Sequence, residues 1–180
     1  MLEVEVKVKV DIARIEPQLK ALGFIKGSSV YERDSYFNGT HKDLKEEDKA
    51  LRIREYRNLD TDKTKYIINF KGPKKDDITM TREETEFEIP SYEHGEIMLN
   101  GLGFYVAGGV EKVRTYYNIG NLTCCLDRVT NLGEFMELEI MAEEFEYDDA
   151  INNIKGILSS LNLDISQTIR ESYLCLLASN

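Results

Sequence analysis

The chain has 180 residues, 42% hydrophobic and 31% charged, with a formal net charge of −10. That length suits one domain, residues 1–180, with a real core, and the acidity excludes a surface built to coat nucleic acid without excluding a local basic pocket for an anion. No apolar run approaches the roughly 20 residues of a membrane span, the charged start does not read as a signal peptide, and three cysteines make no disulfide framework, so the expectation is a cytoplasmic protein with reduced thiols and neither nucleic acid nor membrane as partner.

Residues 1–10 alternate strictly. Leu2, Val4, Val6, Val8 and Val10 fall on one side of a strand, and Glu3, Glu5, Lys7 and Lys9 on the other. Glu16-Pro17 then opens a helix that Gly23 caps, after an irregular lead-in at 11–15. A second strand is predicted over 28–37, with Tyr31, Tyr36 and Phe37 marking β-propensity. A charged loop over 40–49 leads to a third strand at 50–57, where Leu51 and Ile53 oppose Arg52 and Arg54. The fourth, 65–71, puts Ile67, Asn69 and Lys71 on one face and stops at Gly72-Pro73. A polar segment follows at 74–79.

The fifth strand, 80–89, carries Arg82, Glu84, Glu86 and Glu88 on one face. Ser91 caps a helix whose buried edge is expected to be Ile97, Met98 and Leu102. The sixth strand, 110–117, aligns Lys112, Arg114 and Tyr116, and the seventh, 122–129, aligns Cys125 and Asp127. In the eighth, 134–141, Phe135, Glu137 and Glu139 oppose Met136, Leu138 and Ile140. Asp148 caps a helix to about 161, and Ser166 a last one containing Ile169, Tyr173, Leu176 and Leu177. The apolar stripes of both read as core packing.

Eight strands joined mostly by hairpins predict an α+β protein built on a closed eight-stranded antiparallel β-barrel with flanking helices. At least six strands carry charges on a single face, and one face of a barrel must look inward. Unpaired buried charges are prohibitively costly, and ion pairing alone is a poor reason to build a charged interior. A polyanion bridged by metal ions explains both signs. Arginine and lysine donate to phosphoryl oxygens, and clustered carboxylates with oxygen-only donors select Mg²⁺ or Mn²⁺. Adjacent Cys124 and Cys125, without further Cys or His at ligand spacing, form no zinc site.

The motifs resemble those of the CYTH group of triphosphate tunnel metalloenzymes, most closely the class IV adenylyl cyclases. They are Glu3-x-Glu5-x-Lys7, Leu51-Arg52-Ile53-Arg54, Lys71-Gly72-Pro73, Arg82-x-Glu84-x-Glu86, Lys112-x-Arg114, the block from Leu126 to Glu139, and Ser172-Tyr173-x-x-Leu176-Leu177. The resemblance implies a triphosphate tunnel in which Lys7, Arg52, Arg54, Lys71, Arg82, Lys112 and Arg114 hold phosphates. It implies Glu3, Glu5, Glu137 and Glu139 as metal ligands, and Lys7 and Asp127 near the reacting centre. Glu84 and Glu86 are left between a second metal and pairing with arginines. Tyr36, His41 and the 74–79 segment border the mouth.

The substrate class so implied is ATP, inorganic triphosphate or thiamine triphosphate. Cyclase chemistry, with the ribose hydroxyl attacking the α-phosphate, is favoured over hydrolysis of the terminal phosphate, and a non-enzymatic binding module is the remaining alternative. A homodimer is compatible with the resemblance.

Overall fold

A computed structural model describes residues 2–75 and 79–179. Met1, the side chain of Leu2 and residues 76–78, on which parts of the first strand and of the 74–79 segment fall, lie outside the described residues.

Eight strands form one antiparallel sheet: β1 (Leu2–Lys9), β2 (Ile25–Gly39), β3 (Ala50–Asn58), β4 (Thr64–Lys71), β5 (Glu84–Ile89), β6 (Phe104–Ile119), β7 (Leu122–Val129) and β8 (Gly133–Ala142). Their order is β1-β8-β7-β6-β2-β3-β4-β5. The longest pair, β2 and β6, shifts register between Lys26 and Ser29 and again between Tyr36 and Phe37. Such bulges add local twist and bend a sheet, and here the sheet curls into a trough.

The expected closed barrel is corrected on one point. β1 and β5 do not pair as strands, so the sheet is a curled half-barrel rather than one closed by a continuous ladder. The chain just before β5 makes the contact between its edges. Glu3 and Arg82 form an isolated antiparallel bridge, and Met80 N donates to Glu5 O at 2.9 Å. The fifth strand accordingly begins at Glu84, not at 80.

Four helices cover the sheet. In α1 (Ile12–Ala21) the Asp11 side chain accepts from Ala13 N, so the helix starts earlier than predicted and Pro17 lies inside it. α1 and α3 (Tyr147–Ser160) bury the convex face, where Val4, Val6, Val8, Leu126, Met136 and Leu138 meet Ile12, Leu19, Ile154 and Leu158. Asp148 lies in the first turn of α3 rather than capping it.

α2 (Tyr92–Gly101), capped by Ser91 as expected, packs through Gly95 and Leu99. Its predicted buried edge is overturned, for Ile97, Met98 and Leu102 are exposed. The reason is steric: a Cβ on Gly95 would lie 2.6 Å from Ile89 Cδ1 and 2.8 Å from Ile53 Cδ1, so the helix approaches through its glycine. The last helix, α4 (Tyr173–Ala178), is capped by Ser172 rather than Ser166. It packs on Val110, Val129 and Phe135. These three share the face of the charged residues, so α4 closes one end of the concave side.

Candidate functional site

Strand alternation carries the charges inward. Glu5, Lys7, Glu32, Asp34, Asn69, Arg82, Lys112, Arg114, Asp127 and Glu137 are all buried. All but Glu32 and Asp127 line a cavity of about 590 Å³ that also touches Arg52, Arg54, Lys71 and Glu139. Its lining also includes uncharged side chains, among them Tyr36, Leu44, Ala107, Leu174 and Ala178, beside the charged Lys45, Asp48, Lys49 and Lys74.

One wall is a network of paired charges. Asp34 accepts from Arg54 Nε at 2.6 Å and Nη2 at 2.7 Å, and from Arg52 Nη1 at 3.3 Å. Glu32 sits 3.0 Å from Arg54 and 3.2 Å from Lys112. Asp127 accepts from Arg114 Nε and Nη2, both at 2.7 Å, and lies 3.3 Å from Lys112. Arg114 also donates to Glu137, and to Glu139 at 3.3 Å. Lys7 Nζ is 3.3 Å from Glu137.

Burial pushes the Glu32 and Asp34 carboxyls up, but the cations outweigh it and hold both below the ordinary range: Arg54, Lys112 and Arg114 around Glu32, and Arg52 and Arg54 around Asp34. Arg114 and Lys7 do the same for Glu137.

Arg82 differs. Its guanidinium is buried and, among the described residues, donates to backbone carbonyls, Met80 O at 3.5 Å and Gly72 O at 3.3 Å. Among the described residues it has no carboxylate at ion-pair distance. Arg52 Nε is likewise buried without a hydrogen bond.

The opposite wall has an excess of acid. Lys71 Nζ serves three carboxylates, Glu3 at 2.8 Å, Glu84 at 2.9 Å and Glu5 at 3.9 Å. Burial, reinforced by Glu5 and Glu139, raises the Glu3 carboxyl to about 8 despite Lys71. Burial, with Glu137 and Glu5, raises Glu139 to about 7 despite Arg114. Glu84 is held down to about 2, because Lys71 and a hydrogen bond with Glu3 outweigh its burial. Asn69 donates to Glu84, and to the exposed Glu86 at 3.3 Å. Both glutamates thus have protein partners.

The predicted site residues therefore converge, but not in one rank. Glu5, Lys7, Arg52, Arg54, Lys71, Arg82, Lys112, Arg114, Glu137 and Glu139 line the cavity; Glu3 and Asp127 do not. Asp127 is fully buried behind Arg114 and Lys112, a place for aiming a guanidinium rather than for touching a reacting atom. Tyr36 and Lys74 reach the mouth, whereas His41 is exposed and packs edge-on against Phe104.

Sequence reasoning missed Asp34 and Glu32, although Glu32, Asp34 and Tyr36 alternate as clearly as β1 does. It also missed Tyr173, whose hydroxyl donates to Asp127 Oδ2 at 2.9 Å. The three cysteines are free, and Cys124 and Cys125 are buried on opposite faces of β7. Among the described residues no helix is long and apolar enough to cross a membrane.

A curled antiparallel sheet with a convex apolar face and a concave face of paired acids and bases is the class of fold to which the chain belongs. The chain belongs to the CYTH domain family, whose model matches residues 1–173. It is 37% identical over 176 residues to the "Putative adenylate cyclase MJ0240" of Methanocaldococcus jannaschii, covering 97% of each chain. Among solved structures it resembles the PH1819 protein of Pyrococcus horikoshii, with 30% identity, 99% of each chain covered and a TM-score of 0.89. The "Putative adenylyl cyclase HpAC1" of Hippeastrum, described as having a dominant triphosphatase activity, shares the fold at 19% identity and a TM-score of 0.71, covering 99% of this chain and 95% of that one.

Proposed function

We propose that this CYTH protein binds a triphosphate in its lumen and, with Mg²⁺ or Mn²⁺, acts on it as an adenylyl cyclase, converting ATP to cyclic AMP and pyrophosphate. The observation that carries the reading is Arg82, a buried guanidinium in the cavity wall whose hydrogen-bond acceptors among the described residues are two carbonyls. A buried cation without an acid is costly unless an anion completes it. Arg82 shares the cavity with Lys7, Arg52, Lys112 and Arg114, enough N–H donors to bind several phosphoryl oxygens at once.

The carboxylates facing these donors fit a hard cation. All are oxygen donors, and Glu5, which lines the cavity, has Lys71 at 3.9 Å as its ion-pair partner. Among the described residues no three acids or His/Cys groups already stand in a coordination arrangement. Glu5, Glu137 and Glu139, with Glu3 beside them, would hold the ion by releasing Lys71 and Arg114. When bound, such an ion neutralises charge building on phosphoryl oxygens. Asp127 keeps Arg114 aimed into the cavity, and α4 keeps water out of one end.

The choice of ATP rests on the uncharged residues of the cavity lining. An inorganic triphosphate has no use for a wall of Tyr36, Leu44, Ala107, Leu174 and Ala178, whereas a nucleoside does. The name of the M. jannaschii relative points the same way. Hydrolysis is the second reading, because phosphate binding and charge neutralisation serve both reactions, and the Hippeastrum protein shows that the fold accommodates a triphosphatase.

Product analysis decides. The protein is incubated with ATP, inorganic triphosphate and thiamine triphosphate, each with Mg²⁺ or Mn²⁺. Cyclic AMP with equal pyrophosphate is the expected result; orthophosphate without cyclic AMP moves the activity to hydrolysis. Binding of ATP without turnover would leave a binding module.

A further inference from the structure

We propose that Tyr173 is a positioning residue, its ring setting the ammonium groups of Lys7 and Lys112 as one phosphate-facing pair; the inference rests on the triphosphate reading above. The Lys7 and Lys112 Nζ atoms lie 4.3 Å and 5.1 Å from the ring centroid. The two lysines stand on β1 and β6, strands separated by β8 and β7, so no ladder contact joins them. Each pairs with a different glutamate, Lys7 with Glu137 at 3.3 Å and Lys112 with Glu32 at 3.2 Å. The ring is a contact they share.

The ring is itself fixed on every side. Its hydroxyl donates to Asp127 Oδ2 at 2.9 Å, and it packs against Phe135 with centroids 5.0 Å apart and planes at 61°. Ser172 Oγ accepts from Cys175 N at 3.2 Å and sets the start of α4. The chain before it is tied to β1, since Ile169 N donates to Lys7 O at 2.8 Å and Lys7 Nζ donates to Glu171 O at 3.3 Å.

An aromatic face suits this place better than a further acid. A carboxylate between two ammonium groups would neutralise them and offer oxygens that compete with phosphate for the same N–H donors. The negative face of a ring offsets part of their repulsion and accepts nothing in the phosphate's place. Both ammonium groups are thereby held against one ring in the cavity wall, where a chain of phosphates can meet the two together.

A packing role and a positioning role separate experimentally. Phenylalanine and its mono-, di- and trifluorinated analogues are placed at position 173; they share a shape while the ring's negative face weakens stepwise. The Kd for inorganic triphosphate, by calorimetry, is expected to rise stepwise to about tenfold across the series, with the melting temperature constant. Without ligand, the Lys7 and Lys112 ε-methylene protons should show an upfield ring-current shift that Tyr173→Leu removes.

A flat series in a protein that binds triphosphate, or unshifted lysine resonances, would overturn the positioning role. Failure of the unmodified protein to bind triphosphate, with the lysine shifts present, would instead sink the triphosphate reading and the phosphate-facing part of this one with it.

Discussion

Glu32 and Glu139 both face the lumen from β-strands, and burial pushes the carboxyl of each upward. They end on opposite sides of the ordinary value because of their neighbours. Glu32 lies among Arg54, Lys112 and Arg114, and its charge is held. Glu139 has Arg114 on one side but Glu137 and Glu5 on the other, and its charge is resisted, with the carboxyl raised to about 7. On one wall of the lumen cations hold the carboxylate charge, and on the other burial and neighbouring acids resist it. A charged interior is therefore two different things: a scaffold that fixes arginines and lysines, and a carboxylate face with negative charge to spare.

The largest expected effect tests that division directly. Glu32→Gln strips the charge opposite Arg54 and Lys112, and should cost about 3–5 kcal/mol of unfolding free energy in urea, as breaking a buried pair does. Glu139→Gln should leave the unliganded protein as stable or more so, because it relieves a resisted charge. Equal losses in the two variants would erase the distinction.

The second test is pH. Glu3 and Glu139, raised from 4.5 to about 8 and about 7, keep protons in the folded chain that the unfolded chain has released. Stability from these groups is therefore present at low pH and lost as pH rises from about 4.5 through 7 to 8. Mg²⁺ or Mn²⁺ replaces those protons, so its increase in melting temperature should be larger at pH 8.5 than at pH 6. Glu32, lowered from 4.5 to about 2, gives the opposite limb, with stability lost as pH falls through that range. A metal effect independent of pH would disconnect the acidic wall from the cation.

Arg82→Met comes next. It removes a cation with no carboxylate at ion-pair distance among the described residues, so unfolding free energy should move by no more than about 1 kcal/mol while triphosphate Kd rises about tenfold. A large loss of stability with unchanged Kd would make Arg82 a scaffold residue. Smallest of all, Glu86→Gln at the exposed edge should change stability by less than about 0.5 kcal/mol and leave the metal response intact. Loss of that response would reopen the case for a second metal there.

Much of this was legible because the charged face repeats. The alternation in β1, β3, β6 and β8 pointed to residues that line the cavity, and Leu122–Val129 matches its predicted bounds. What escaped was three-dimensional. Gly95 has no side chain to mark it as the packing face of α2, so Ile97 and Met98 drew the reading instead. Asp34 and Glu32 lay in a stretch judged by its aromatics. Tyr173 sat in an apolar stripe that gave no sign its hydroxyl reaches Asp127. The gap between β1 and β5 depends on the summed curl of eight strands, which no local pattern records.

The pairing of β1 with β8 sets Lys7 opposite Glu137, joining strands far apart in sequence. A ribosome makes β1 before its ladder partner, Gly133–Ala142, with the other strands of the sheet between them. Until then the valine-rich strand that supplies Glu3, Glu5 and Lys7 has no neighbour in the sheet. The β1–β8 side of the lumen thus depends on a long-range contact, a topology that favours slow folding. A nascent chain interrupted before β8 would present an unpaired hydrophobic strand edge, the kind of surface that invites aggregation or chaperone capture.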